Sequence, residues 1–543
     1  MPTLSLQKRL QEGRLLWQKG ELAQAADIAK TLAEKGHRGL EVYSLLGDCY
    51  LGLQQFELAL DAYSQALCIE PTHVYLRFLC GEALFHLGRY SEVVALLEGL
   101  DPGSDNALRV EHAITLGRAQ QFIGMTELAE LNLLKAFMAN PAHEEAAFNL
   151  AAFYEQQGLH RQALQFLEPA SKTHSASVRL QYNLGSALSQ LGETDRAIAA
   201  LQTTLRLSPD HAKAHQNLAL CHLRSGNLEE GWFHYAWRFN RHAAEGSAAH
   251  WQPQTPELPE NMMGTEIRVV GEQGIGDELF FMRFLPELGR RGCRVKYQPC
   301  NSKLVPLLPQ LQAQACFDSV VNATTEVTAE HFQLLVGDLP LALGQATSAR
   351  YPAPLGLKAS PTLVEQWQVR FPILRGSRPC VGLTWRAGSQ VLHNPSDPDS
   401  RRWLSKAMPL EPLVDLLAAL DINVVILQRS PESEELQWVQ ERIGFERCLD
   451  ASSFDQDLIE LLALLDCLDR LVGVSNTNTH LFAGLGKTGD VLVPLPCEFR
   501  WQEQATESPW FPGFNVFRQS SDANWQSALS MLKAYLTQRY PCR

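Results

Sequence analysis

A 34-residue period runs through the first half of the chain and limits what that half can become. Gly13, Gly47 and Gly81 stand 34 residues apart, and so do Gly117, Ala151, Gly185 and Ala219. The one step of 36, between Gly81 and Gly117, puts two extra residues in the turn around Asp101–Asp105. Such a period means one supersecondary unit used repeatedly, each copy unable to bury its apolar face alone. The second copy shows the pattern best: Leu46 and Gly47, then Tyr50, Ala59, Tyr63, Ala66 and Pro71. The fourth has Leu116, Gly117, Ala129, Leu133, Ala136 and Pro141 at matching places. Small residues let two helices approach, bulky ones fill the groove between them, and the proline stops the second helix. An unrelated bundle needs no fixed period. Stacked helix pairs over residues 1–240, about seven repeats, are therefore predicted.

This pattern resembles the tetratricopeptide repeat, and the resemblance covers residues 5–238. It implies an α solenoid whose concave face holds a protein or peptide. Asn149, Asn183 and Asn217 recur two residues before the small position of three successive repeats. Amides there could donate to and accept from an extended backbone, as acceptor-binding residues. The plainer reading is that asparagine is tolerated at this place. The row is similar to the asparagine ladder of the O-GlcNAc transferase superhelix.

Composition excludes several classes. At 543 residues the chain needs more than one core. A net charge of −13 argues against nucleic acid and anionic lipid as partners. The start carries no long apolar stretch of the secretory kind, and no run of about 18 apolar residues occurs, so no membrane insertion is expected. Twelve cysteines stand singly without a CxxC pair, which fits reduced thiols in a cytoplasmic protein. The sixteen histidines are read as lacking the helical His-x-x-x-His or HExxH pairing of a zinc hydrolase, and neither metal nor other cofactor is expected.

The last repeat runs into an aromatic segment, Gly231 to Arg238, and then a linker over 241–265 rich in Ala, Pro, Gln and Glu. Short apolar runs then alternate with helical stretches. Strands are predicted at Ile267–Val270, Arg294–Gln298, Phe332–Val336, Cys380–Thr384, Asn423–Leu427, Arg470–Val474 and Gly489–Val493. This alternation argues an α/β fold with parallel sheets. Less regular sequence near 350–378 divides it into two Rossmann-like lobes, 266–375 and 376–543, with a ligand at the carboxyl ends of the strands.

Three segments carry chemistry. Val270 leads into Gly271-Glu272-Gln273-Gly274-Ile275-Gly276-Asp277-Glu278, a strand, a glycine turn and a helix start. Gly274 and Gly276 allow close backbone approach. Asp277 suits both a helix N-cap and a base facing an acceptor hydroxyl. Thr384 leads into Trp385-Arg386, a cation at a strand's carboxyl end, and Gln428-Arg429 closes the next strand similarly. Ser475-Asn476-Thr477-Asn478-Thr479-His480 opens a helix with hydroxyls, amides and free N–H groups, an anion site that needs no metal. Asp397-Pro398-Asp399 spells a metal-binding D-x-D, but in a Pro/Ser-rich loop, and is read as solvated. The tail has Glu498-Phe499-Arg500-Trp501 and Ser508-Pro509-Trp510-Phe511, whose aromatics are read chiefly as packing.

Jointly these segments resemble bacterial heptosyltransferases and their repeat-linked, O-GlcNAc-transferase-like relatives, over roughly 265–525. The resemblance implies a two-lobed GT-B glycosyltransferase that uses a nucleotide sugar. It implies Asp277 as catalytic base and Arg386 against the donor diphosphate. The segment 475–480 is similar to the relatives' Asp-Thr-x-x-x-His-Leu-x-[Gly/Ala]-Ala-Leu-Gly, with Ser475-Asn476 where the acidic residue is usual. Gly274, Gly276, Trp385, Arg386, Gln428 and Ser475 through His480 are the expected donor-binding set. Metal-independent transfer of a sugar to a protein hydroxyl is the leading reading. A non-catalytic repeat scaffold with a relic or ligand-sensing domain is the rival.

Overall fold

The computed structural model describes residues 2–238, 258, 262–322, 332–344, 351–387, 406–521 and 524–542. Most of the 241–265 linker and the Asp397-Pro398-Asp399 loop lie outside the described residues. Fourteen helices run from Pro2–Gln18 to Leu228–Tyr235. Their pairing follows the period. A side chain at Gly47 would strike the ring of Tyr63, at Gly81 Leu97, at Gly117 Leu133, and at Gly185 Leu201. Each glycine thus meets the residue sixteen places on, where the second helix of its pair crosses. Pro71 and Pro141 follow the helices Phe56–Ile69 and Thr126–Ala139. The helix His160–Thr173 contains Pro169 just before its last turn. The extra residues of the third repeat form a turn after a short helix, Tyr90–Leu97, and Asp105 caps the next, accepting from the Ala107 and Leu108 N–H groups.

The described residues up to Asn183 pack as one compact unit, and those from Leu184 onward as a second. Within the second unit the last repeats share a hydrophobic core with the first sheet. Leu223, Trp232 and Tyr235 belong to the same cluster as Ile267, Val269, Phe281 and Tyr297. The aromatic segment after the repeats therefore packs as core. The Trp232 ring meets Phe281, Phe499 and Trp510 edge to face, with centroids 6.0, 5.7 and 6.2 Å away.

Among the described residues eleven strands form two sheets. The first contains β1 (Glu266–Val270), β2 (Arg294–Gln298), β3 (Ser319–Val320) and β4 (Phe332–Leu335), all parallel, in the order β3-β2-β1-β4. The second contains β5 (Cys380–Thr384), β6 (Asn423–Ile426), β7 (Cys448–Asp450), β8 (Arg470–Val474), β9 (Gly489–Val493), β10 (Glu507–Ser508) and β11 (Phe511–Arg518). Its order is β10-β11-β9-β8-β5-β6-β7, parallel except for the β10–β11 pair. In each sheet the order reverses beside the first strand, between β1 and β4 and between β5 and β8. A crevice at the carboxyl ends opens at such a reversal. The three turns singled out in the sequence, after Val270, Thr384 and Val474, leave strands at these two points.

All seven predicted strands are present within a residue of their expected limits. The four others escape the alternation pattern because β3 and β10 have two residues, β7 has three, and β11 contains Pro512 and Gly513. No helix among the described residues is long and apolar enough to cross a membrane.

One buried ion cluster joins the end of the repeats to the first sheet. The Arg238 guanidinium donates to both Glu272 oxygens at 3.0 Å through Nε, and to Asp338 at 2.8 Å. Burial opposes the Arg238 charge, but Asp338 and Glu272 outweigh it and hold the group well above its usual range. Replacing Arg238 by Met leaves two buried carboxylates uncompensated. We expect a loss of about 3–5 kcal/mol from the second unit, read as an earlier tryptophan-fluorescence transition in urea.

Candidate functional site

The glycine turn after β1 is shaped by hydrogen bonds. Gln273 holds a left-handed backbone, φ 65°, while its side-chain amide donates to the Tyr235 hydroxyl at 2.9 Å. Such strain in a non-glycine residue persists where surroundings over-determine it. The following helix, Ile275–Met282, has Gly274 at its N-cap, and Asp277 sits in its first turn. The cap reading of Asp277 is thereby corrected: two residues separate it from the position where a side chain could close the helix. Glu278 is fully buried and accepts from Tyr297 Oη at 2.5 Å, the Cys300 N–H at 3.0 Å and Asn301 Nδ2 at 2.6 Å. Glu272 is committed to Arg238. Of the three carboxylates in this turn, Asp277 alone keeps substantial exposure, 35% of its side chain.

Asp277 lines a cavity of about 490 Å³. The walls come from Asn217, Gln216 and Arg224 of the helix Ala212–Ser225, from Tyr235 and Arg238, from Gln273, and from Lys406 and Pro496–Arg500. Its electrostatics centre on Arg500, which donates to Asp277 at 2.5 Å through Nη2 and to Glu498 through Nη1. Lys406 pairs with the other oxygen of Glu498 at 2.5 Å. Burial works against the charge of Glu498, yet Lys406 and Arg500 hold its carboxyl far below the usual range. Burial likewise works against Arg500, and Glu498 and Asp277 keep it charged. The result is a fixed alternation of two cations and two carboxylates in a half-enclosed space. In the sequence Glu498 and Arg500 stand within an aromatic tail. The available signal was two opposite charges inside the otherwise apolar run from Leu495 to Trp501.

The expected site residues divide into three groups. Gly276 and the helix Thr477–Gly484 meet: a side chain at Gly276 would stand 3.3 Å from the His480 ring and 3.7 Å from Thr477 Oγ1. The small residue here permits two helices from different sheets to touch. His480 is enclosed between Phe280 and Phe511, whose rings meet it edge to face. Burial first, then Arg500 and Arg283, keeps its imidazole neutral, and its Nδ1 has no hydrogen-bond partner. The helix start itself is partly closed. Asn476 accepts from the Asn478 N–H at 3.0 Å, and its own N–H donates to Thr479 Oγ1 at 3.3 Å, so this capping box uses N–H groups expected to be free. Ser475, Asn478 and Thr479 are buried, and Thr477 is half-buried.

Trp385, Arg386 and Gln428 form a second group apart from the cavity. The Gln428 amide oxygen accepts from the Trp385 and Arg386 backbone N–H groups, both at 2.9 Å. The Arg386 guanidinium pairs with Glu435, at 2.6 Å to one oxygen, and donates to the Ser430 carbonyl at 3.1 Å. Glu435 is held below the ordinary carboxylate range, since bonds from Arg386 and from the Glu432 N–H overcome the opposing effect of burial. The cation predicted for a diphosphate thus already has a carboxylate partner.

The three asparagines have different surroundings. Asn149 donates to the Glu145 carbonyl at 2.8 Å and to the Glu145 carboxylate at 2.9 Å, within its own helix. Asn183 is buried. Asn217 is 3% exposed, its Nδ2 lacks a partner, and it lines the cavity with Asp277. All twelve cysteines are free thiols.

Comparison with known proteins bears on the repeats. Residues 10–73 and 182–231 match one family of tetratricopeptide repeats, and residues 50–110 match another. The chain is similar to protein FlbA of Caulobacter vibrioides, 23% identical over 512 residues, covering 84% of this chain and 82% of FlbA. It is 22% identical over 261 residues to anaphase-promoting complex subunit 3 of Schizosaccharomyces pombe, across 46% of this chain and 37% of that one. Among solved structures, MamA matches 31% of this chain and 94% of its own at 26% identity and a TM-score of 0.27. Pseudomonas aeruginosa pilF matches 39% and 96% at 16% identity and a TM-score of 0.35. The period, the packing of each pair and the two family matches agree: the N-terminal region of this chain is built of tetratricopeptide repeats.

Proposed function

We propose that this repeat protein transfers a sugar from a nucleotide diphosphate donor to a hydroxyl of a polypeptide held by its repeats. One observation carries the reading. Asn217, from a repeat helix, and Asp277, from the turn at the first sheet's reversal point, line the same cavity as Arg500 and Lys406. An amide with a spare donor can hold an acceptor backbone. Asp277 is the exposed carboxylate there that can take the hydroxyl proton. The acceptor oxygen then bonds to the anomeric carbon as the bond from that carbon to the diphosphate breaks. Arg500 and Lys406 supply the charge that neutralises the departing diphosphate, the part first given to Arg386. Two sheets with the same order reversal suit a two-lobed glycosyltransferase of the GT-B type, and free thiols throughout suit a cytoplasmic setting.

A second reading has its own support. Asp277 is paired with Arg500, and Arg500 and Lys406 are both paired with Glu498. A protein whose intended base and cations all hold partners could act as a scaffold that binds a nucleotide without turning it over.

Two measurements separate these. Uridine, guanosine, cytidine and adenosine diphosphates are tested in turn at millimolar concentration, and one of them should raise the melting temperature of the full chain. Lys406→Met should shrink that rise. No rise with any of the four removes the enzyme reading.

Asp277→Asn keeps the size of the side chain and a hydrogen bond from Arg500 while removing the proton acceptor. Donor binding should persist, and transfer to protein, followed by mass shift, should fall by roughly 10²-fold or more. Unaltered transfer shifts the base away from Asp277; diphosphate binding without any transfer by the wild type establishes the scaffold.

A further inference from the structure

Three side chains on the last two repeat helices stand together outside the cavity. His222 comes from Ala212–Ser225, and Glu230 and His234 from Leu228–Tyr235, one turn apart. One ligating atom from each lies within 4.8 Å of the other two. His234 Nε2 is 3.7 Å from Glu230 Oε2. Two ligands of a tetrahedral ion with bonds of about 2.0–2.1 Å stand roughly 3.3 Å apart, so the Glu230–His234 pair is already near ligand spacing. His222 and His234 are 7% and 8% exposed, with rings 16° from parallel. The Glu230 side chain is 54% exposed, which leaves an entry path and room for a water.

The protonation pattern is fixed from outside the trio. His215 Nε2 lies 2.9 Å from the Pro209 carbonyl, which only accepts, so that nitrogen carries the hydrogen. In the neutral ring His215 Nδ1 then accepts. His234 Nδ1, 2.7 Å away, must donate to it. The lone pair of His234 is left on Nε2, the atom beside the Glu230 carboxylate, an arrangement that repels unless a cation lies between. A hydrogen bond behind the imidazole is the usual support of a metal-binding histidine. His222 Nε2 is buried without a hydrogen-bond partner. Its Nδ1 stands 3.4 Å from Asn227 Nδ2; exchanging the amide's oxygen and nitrogen lets Nδ1–H donate to the oxygen and leaves Nε2 free to ligate.

We propose that His222, Glu230 and His234 bind a divalent cation of the zinc class, with water in the fourth position. Two imidazole nitrogens and one carboxylate suit zinc; calcium and magnesium take shells of oxygen alone. The ion would cross-link the two helices that carry Arg224 and Trp232 into the second unit. The site is independent of the transfer proposed above, and sequence reading discounted it because no HExxH pair is present. A His-x-x-x-His pair does exist at His211 and His215, but His211 caps its helix, accepting from the Ala214 N–H, and His215 supports His234.

The full chain, stripped with a chelator and dialysed, is titrated with zinc chloride and read by elemental analysis and thermal unfolding. Wild type should retain one equivalent at this site and melt higher with zinc. Glu230→Gln, a change at a solvent-facing side chain, should weaken zinc binding about 10-fold or more. His222→Asn should abolish the retained equivalent, with circular dichroism showing an unchanged fold. If His222→Asn does not fold, Glu230→Gln decides alone. No zinc retained by the wild type, or equal retention and equal thermal shift in wild type and Glu230→Gln, overturns the proposal.

Discussion

The buried guanidinium of Arg238 sets the frame for the second unit. Its planar fork reaches Glu272, in the turn after β1, and Asp338, just after β4. Those strands flank the point where the first sheet reverses its order, so one side chain gathers both strand ends and the end of the repeats. A buried charge is tolerated only with close partners, which makes this junction selective in geometry where apolar packing alone would tolerate sliding. The Trp232 cluster supplies the apolar area beside it. Direction comes from the ions, adhesion from the rings.

The same logic governs the cavity next to it. Arg500 is buried, so it must be shared, and Asp277 and Glu498 share it. Glu272 and Glu278 are spent on Arg238 and on the Tyr297–Asn301 hydrogen bonds. The carboxylate left with access to the cavity is therefore decided by what its neighbours already hold. Charges fixed in this way need little reorganisation when a charged ligand arrives, which is where a preorganised site gains most. Arg386, at the matching place after β5, is held by a carboxylate of its own. Glu435 is near enough to take its charge, and Gln428 fastens the backbone beneath it.

The histidine trio follows from the repeat geometry. A helix pair brings side chains four residues apart on one helix against the last turns of the other. Here that contact collects Glu230, His234 and His222, with His215 behind them. None of these spacings is a metal motif on its own, because the ligands come from two helices joined by a turn. Their relation exists only once the pair has closed.

Local patterns carried most of the fold. The 34-residue period specified the helix pairs, since a small residue facing its partner sixteen places later is a local, repeated requirement. Seven strands could be read because each is a short apolar run between turn residues; their order within the sheets, and with it the reversal points, came only with the fold. The turn at Gly274–Asp277 and the helix start at 475–480 could be placed for the same reason: both leave a strand's carboxyl end. What tertiary structure alone decided was pairing between distant charges. Asp277 meets Arg500 across 223 residues, Arg238 meets Asp338 across 100, and Arg386 meets Glu435 across 49. No periodicity encodes such meetings, because a buried ion is selected by the one partner close enough to offset its desolvation, and that distance is set only when the elements pack.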